Sequence, residues 1–575
     1  MSHTPSYDAA VAKILAELKP GERVCTLTGE KWIVTDEEIS WYKKFNVPPS
    51  KICPDIRINI MNGFNTGLAI FWKKDTDGHS IISAVHPDSP INIMKDADWF
   101  VTNMDSFARV PTNDKSVMEQ MWEMMISVPI NATRNDGDSS NSIVVGSTKA
   151  VDCYLVNANL SRRCFYGYAV VNCEDCIDVV NTTGAVRSYH LSGCQQIADS
   201  AFLFECLSCH DCTFLFDCVD CESCFGAMNQ RHKKYLWFGE QLNEEDWKKR
   251  KAEVNLSDEV QLKKWLNIFY ALWREKGVWP EVFSNGNTET QGERMNECVR
   301  CKNCYWQGKS TDCYYSRFGL ENTQCVFCSG HGWENSVYSS TGGMSGNNNK
   351  FCLSCAKASG CEYCVFCIDC ENCFGCFGMK RSKFCIFNKQ YSESEYWILV
   401  DQLKCRMLEE GSYGEFFPAK FSPSGFQFST GEIYIGYSEA DLKKYNALQF
   451  DAKRGQLLAP QPSEQIFQPS DLPETLTVLE AKGFVGKPIF DSEVERNFSI
   501  TAAEFKVYKE KQWPFPRRHF VSRITELVRH ANSPISITAT CGRCCHQLQT
   551  YKNYIFPERV VYCRECYLKY LEENN

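Results

Sequence analysis

Residues 217–226 read DCVDCESCFG and residues 366–375 read FCIDCENCFG. The two stretches lie 149 residues apart, and the same offset carries Cys164, Cys176, Cys206, Cys212, Cys218, Cys221 and Cys224 onto Cys313, Cys325, Cys355, Cys361, Cys367, Cys370 and Cys373 without a gap. The middle of the chain is therefore a duplicated, cysteine-rich block, and such a repeat decides the fold before any local propensity does. Within each copy a shorter period runs. FLFEC at 202–206 returns as FLFDC at 214–218, and Cys209 keeps step with Cys221, Cys212 with Cys224, and Cys352 with Cys364 and Cys376.

Twelve residues are too few for a helical hairpin, and these segments are rich in Phe, Tyr, Val and Cys broken by Gly, Asn, Ser and Asp. That composition predicts strands and turns. The expectation is a mainly β chain with two tandem cysteine-rich β-solenoid blocks, each coil laid on the last, of twelve or twenty-four residues per coil. Coils about 4.8 Å apart bring stacked cysteines within the roughly 4.4 to 6.8 Å Cα separation of a disulfide. The ladder is then inert thiol, disulfide or metal thiolate. Buried free cysteine behaves as a small hydrophobe, and three-residue spacing is expected when cysteines fall on two adjacent coils, so the inert ladder is the favoured state.

The chain has 575 residues, 34 of them cysteine, and a net charge of −9. The length suits three to five domains. No basic-then-apolar leader opens the sequence and no run reaches the length of a membrane span, which points to a reducing cytoplasm, where disulfides are rare. The charge argues against a general nucleic-acid binder, which carries a basic face. The basic clusters at 248–251 and around Arg517, Arg518 and Arg523 read as solvated surface.

The strongest metal signal is C-terminal. Cys541, Cys544, Cys563 and Cys566 form CxxC, eighteen residues, CxxC. This is the spacing of a zinc ribbon, in which four thiolates close a tetrahedral Zn²⁺ and leave no open position for catalysis. About one structural zinc per chain follows.

The order of a paired ribbon in front, two cysteine-rich blocks and a paired ribbon at the end resembles a group of uncharacterised cysteine-rich proteins from genomes of small uncultivated bacteria. The carrying residues are WYKKFNVPPSKICPDIR (41–57), the two block tails, CIFNKQYSESEY (385–396), GEFFP (414–418) and FPERVVYCRECYLK (556–569). The resemblance implies architecture and no activity. Against its pattern three of the four ribbons are degenerate. The first keeps Cys25 and Cys53 but has Thr28 and Ile56; the second has Lys74, Asp77, Lys95 and Asp98, read as a salt-bridged pseudo-site; the third has His519 and Ser522. WYKKFNVPPSK also aligns loosely with VYKEKQWPFPRR (507–518), so the two ends read as copies of one module.

The expected domains are residues 1–125, a degenerate ribbon pair; 126–240, block one; 241–290, a helical connector; 291–396, block two; 397–485, a helix and an extended linker; and 486–575, the module with the intact ribbon. Ser257, Asp258 and Glu259 open a helix whose stripe of Leu262, Trp265, Leu266, Phe269 and Trp273 is expected to cover a solenoid end or edge. Further helices are expected to open at Asn243 and Ser392. No P-loop, dinucleotide fingerprint, HExxH or GxSxG motif is present, and neither His210 nor the pair Glu174 and Asp175 forms a catalytic constellation. The reading is a non-enzymatic structural or interaction protein that binds a protein partner or itself. The alternatives are a nucleic-acid-associated zinc protein stacking bases on Phe165, Tyr166, Tyr314 and Tyr315, and a redox or metal-cluster protein using the CxxCxxC runs.

Overall fold

The computed structural model describes residues 2–133, 206–457 and 464–575. Between 134 and 205 it describes the backbone of short strands (Ile143–Val144, Tyr154–Val156, Thr183–Val186, Leu191–Ser192, Gln195–Ala198, Ala201–Phe204) together with Phe165, Tyr166 and Ile177. Cys164, Cys173, Cys176, Glu174 and Asp175 lie outside the described residues.

The cysteine-rich segments are built from a three-residue unit. In residues 350–361 the first residue of each unit (Lys350, Leu353, Ala356, Ser359) forms a parallel bridge to the residue twelve further on. The second (Phe351, Ser354, Lys357, Gly360) is left-handed, with φ from 51° to 64°. The third (Cys352, Cys355, Ala358, Cys361) is buried. Four units make one twelve-residue turn. Each turn is tied to the next by bonds such as Leu353 N–H to Cys364 O at 2.9 Å and Phe366 N–H to Leu353 O at 2.8 Å. The left-handed residue thus bends the chain at every corner and still uses its N–H. An L-residue held there costs roughly 1–2 kcal/mol. Among the described residues none of these corners is Val, Ile or Thr, whose branched Cβ fits the left-handed region worst.

The corners overturn the mainly β, β-solenoid expectation. A left-handed residue every third position breaks the extended chain, so in much of both blocks the ladder survives only as isolated one-residue bridges. The described chain is mixed α/β with more residues in helix than in strand. Its sheets are small and open, mostly of two strands, with one of four (Gln291–Asn296, Lys302–Gly308, Tyr314–Leu320, Val326–Gly332) and one of six. The CxxC spacing also has a different origin from the one expected. It comes from adjacent sides of one turn, whereas cysteines on adjacent turns are twelve apart.

Helices pack on the outside of these stacks. Helix Glu259–Lys276 begins at Asp258, whose carboxylate accepts the Gln261 N–H at 2.9 Å. Its apolar stripe lies on the first stack: Phe269 meets Phe214 at 5.7 Å between ring centres, Trp273 meets Phe216 at 4.5 Å and Trp265 meets Phe225 at 5.6 Å. Helices Glu244–Ala252 and Glu393–Glu409 start at Asn243 and Ser392, the second with a full capping box.

The two ends of the chain build hairpin-plus-helix modules. Helices Asp36–Phe45 and Ala502–Lys511 repeat each other in detail. Each stops at a left-handed residue, Asn46 or Gln512, and each buries a carboxylate that accepts a tyrosine hydroxyl one turn on, Glu38 from Tyr42 at 2.5 Å and Glu504 from Tyr508 at 2.7 Å. The front module docks on the second stack, where buried Arg57 donates to Tyr338 Oη at 3.0 Å and lies 4.0 Å from the Phe327 ring centre. The C-terminal region meets Tyr166, whose Oη donates to Glu504 at 2.8 Å and whose ring centre lies 4.7 Å from the Arg523 guanidinium.

Candidate metal centre

The hairpin Ser536–Thr540 and Gln547–Tyr551 ends in the tight turn Cys541, Gly542, Arg543, Cys544. The Cys541 N–H donates to His546 O at 2.8 Å and the Cys545 N–H to Cys541 O at 3.0 Å, so the turn is closed by its own backbone. The second pair sits at the start of helix Arg564–Asn574, with Cys563 as the capping residue and Cys566 in the first turn. Sulfur atoms of Cys541, Cys544, Cys563 and Cys566 all lie within 4.8 Å of one another. Cys544 and Cys563 are 3.7 Å apart, against the edge of about 3.8 Å of a tetrahedron with Zn–S near 2.3 Å. The four cysteines named by their spacing are therefore brought together, and Cys545 lies outside the group.

The electrostatics of the cluster suit a cation. Burial opposes ionisation of Cys541, but the N–H groups of Cys544, Cys563 and Arg543 face it and draw its thiol down to about 6. The Cys563 N–H is 3.3 Å from Cys541 Sγ. Cys566 is pushed up to about 12 by burial and by the neighbouring cysteines. Protons therefore hold part of the cluster that a divalent ion would otherwise neutralise. Helix Arg564–Asn574 also presents its positive N-terminal end to the sulfurs.

This knuckle is tied to the rest of the molecule. Strand Val278–Pro280 pairs in parallel with Val560–Tyr562, just ahead of Cys563. Tyr567, one residue past Cys566, places its hydroxyl on the Asp217 carboxylate and 3.1 Å from Asn229 Nδ2 inside the first stack. Asn575 Oδ1 accepts the Arg231 N–H at 2.7 Å, and Arg543 pairs with Glu573 at 2.8 Å. Cys541 belongs to the same buried cluster as Trp273 and Phe216, and Cys563 and Cys566 pack against it.

The degenerate ribbons hold no comparable set. Lys74, Asp77, Lys95 and Asp98 are exposed, and no ion pair joins them among the described residues, so the pseudo-site does not form. In the third, Asp491 substitutes hydrogen bonds for metal: it accepts the His519 N–H at 2.7 Å and the Ser522 hydroxyl at 2.8 Å. Cys25 and Cys53 are both buried, and burial pushes the Cys53 thiol up to about 12. The described cysteines of the second stack form no disulfide, and a sulfur such as Cys364 Sγ lies between two carbonyls, 3.6 Å from Glu362 O and 3.4 Å from Cys373 O. His210 is an exposed bridge residue opposite Glu222; its carbonyl accepts from Cys212 Sγ at 3.1 Å, and its ring joins no cluster of metal donors among the described residues. The aromatic platforms are occupied: Tyr166 stacks on Phe520 at 5.2 Å, Tyr314 on Trp41 at 6.3 Å and Tyr315 on Phe327 at 5.3 Å.

Among the described residues two further groups bring three donors within 4.8 Å of one another: Asp75, Asp77 and His79 in a surface turn, and Cys325, Cys328 and His331 inside the second stack. Sequence reasoning passed over the second. Its signal, C-x-x-C-x-x-H, is legible only once the three-residue unit is known. A cavity of about 190 Å³ beside Trp72 and Phe498 is lined by Arg496, His519 and Arg523 but by no described carboxylate or thiol. No helix of the described residues is long and apolar enough to cross a membrane. No family model matches the chain, and no curated protein matches it.

Proposed function

We propose that this chain is a non-enzymatic structural or interaction protein of the reducing cytoplasm whose C-terminal Cys541, Cys544, Cys563 and Cys566 hold a structural Zn²⁺. The carrying observation is the placement of the four-sulfur cluster one residue from Tyr567, the side chain that anchors the C-terminal helix on the first stack. Four soft thiolates at tetrahedral spacing suit zinc, and with all four positions taken the ion ties two knuckles together without an open site for substrate. The segment is too small to build a core of its own, so metal binding and local folding are one event.

The partner in this reading is another protein or a second copy of the chain, met by the outer faces of the stacks and the helices on them. Nucleic acid, the alternative, gains no support from platforms that are already stacked on neighbouring rings. Elemental mass spectrometry on protein purified without added metal tests the zinc site: Cys563→Ser should lose about one equivalent relative to the parent, and an unchanged content would sink the assignment. Sedimentation across a wide concentration range tests self-association, and a salt-dependent mobility shift with RNA or DNA would instead favour the alternative.

A further inference from the structure

The interior of the second stack changes character along its length. Turns after residue 349 are lined mainly by cysteine, whereas the earlier turns bury Gln307, Ser310, Ser316, Asn322, His331 and Glu334. The turn spanning 325–334 carries four donor side chains on its four inward positions, in the order CxxCxxHxxE. Cys325 and Cys328 are fully buried, His331 is 6% exposed and Glu334 3%. One donor atom from each of Cys325, Cys328 and His331 lies within 4.8 Å of the other two.

His331 is held as a metal-ligating histidine would be. Its Nε2 lies 2.8 Å from Ser316 Oγ, which in turn accepts from Gln307 Nε2 at 2.9 Å. The other nitrogen, Nδ1, is buried without a hydrogen-bond partner. A buried polar atom left unpaired costs roughly 1–3 kcal/mol, and an outer hydrogen bond on one imidazole nitrogen is the usual means of aiming the other at a metal. The two thiols make only long contacts, Cys325 Sγ to Thr323 O at 3.6 Å and Cys328 Sγ to Val326 O at 3.5 Å. These are little to give up.

Neighbouring turns are hollowed out around this one. The residue paired with His331 in the preceding turn is Gly319, and the inward positions of the following turn include Gly343 and Gly346. None of the three has a positive φ, so glycine is not there for backbone freedom. It is there for room: a Cβ on Gly343 or Gly346 would fall 2.8 Å from Glu334 Oε1, and one on Gly319 would fall 2.4 Å from Gln307 Oε1. Glu334 uses that space to accept the Gly346 N–H at 2.9 Å.

We propose that Cys325, Cys328 and His331 bind a borderline-soft transition ion, Zn²⁺ by their donor set, inside the second stack. Two thiolates balance the charge of a divalent ion, and the imidazole adds a nitrogen donor of the kind zinc accepts beside sulfur. The ion is enclosed by the turns on either side, so it loads as the stack folds and exchanges slowly with chelators, unlike an ion at the partly exposed C-terminal cluster.

The test uses the full chain with the C-terminal cluster disabled, Cys544→Ser with Cys563→Ser, purified without added metal. About one zinc should remain per chain, and adding Cys325→Ala and Cys328→Ala should remove it. A folded Cys544→Ser, Cys563→Ser protein, with stack thiols still shielded from a thiol reagent, that holds no metal overturns the proposal. Should the interior variants fail to fold, zinc X-ray absorption on the parent protein decides. The C-terminal cluster is all sulfur, so imidazole scattering in the zinc spectrum supports His331, and its absence refutes it.

Discussion

Asn347 and Asn348 are neighbours of the same type, both exposed, on one turn of the second stack. Asn347 is a bridge residue, paired with Asn335 before it and Ser359 after it. Asn348 is the corner, with φ at 53°. The same substitution at the two positions should therefore give opposite answers. Valine at 347 gives up one exposed side-chain bond, from Asn335 Nδ2 at 3.1 Å, and gains an extended conformation it favours, for a net change within about 0.5 kcal/mol. Valine at 348 meets the full left-handed penalty, which Asn largely escapes, plus the strain of a branched Cβ, for a loss of about 2 kcal/mol. Asn348→Gly should be neutral or stabilising by a few tenths, since relief of strain is offset by the greater freedom of the unfolded chain. Urea unfolding followed by far-UV circular dichroism reads the difference. With slopes unchanged, the midpoint should fall for Asn348→Val and stay for Asn347→Val. Equal shifts at the two positions would refute the three-residue unit.

Cys563→Ser should also release the C-terminal helix, so that amides of residues 564–574 exchange far faster while those of the second stack keep their protection. Native protein should react with a thiol reagent at few cysteines: Cys544 and Cys545 are exposed, and with zinc in place only Cys545 among the described residues should react quickly, the stack thiols appearing on unfolding. Buried Glu293 has its carboxyl pushed up to about 8 by desolvation, against N–H donors from Phe283 and Asn532 that pull it down. Its folded pKa lies above the unfolded value near 4.3, so the folded state binds the proton more tightly and stability falls as pH rises from about 5 through about 8, then levels. Glu293→Gln should flatten that fall in a series of melting curves across this range, and an unchanged slope would show that another group carries it.

How much of this was readable beforehand divides along physical lines. The twelve-residue period was visible because the parallel register puts like residues opposite like, Leu203 opposite Leu215 and Phe204 opposite Phe216. The helix starts at Asp258, Asn243 and Ser392 were visible because capping is local. The four C-terminal cysteines were visible because a two-knuckle site imposes its spacing on the chain. The balance of helix and strand was misread because strand propensity says nothing about corners: Phe351, Phe366 and Phe384 look like strand residues and stand in the left-handed region. The salt-bridged pseudo-site was misread because four opposite charges in register need burial to be driven together, and Lys74, Asp77, Lys95 and Asp98 stay in solvent.

The cysteine content follows from the cross-section of a turn. Four side chains converge on one axis every twelve residues, from sides only three residues long, and four leucines or phenylalanines would overfill that space. Cysteine is small, apolar enough to be buried, and able to rest its S–H against the carbonyls around it, as Cys364 does. Serine would bring a hydroxyl needing a stronger partner, and alanine would leave a gap at every level. A thiol lining therefore calls for neither redox chemistry nor a cluster. By the same logic, chemistry belongs where the lining departs from its own rule. Glycines that the backbone does not require, an unpaired imidazole nitrogen and a buried carboxylate meet in the turn of Cys325, Cys328, His331 and Glu334. Polar side chains and glycines interrupt the lining from Gln307 onward, and in this turn they accompany two thiols and an imidazole within reach of one ion.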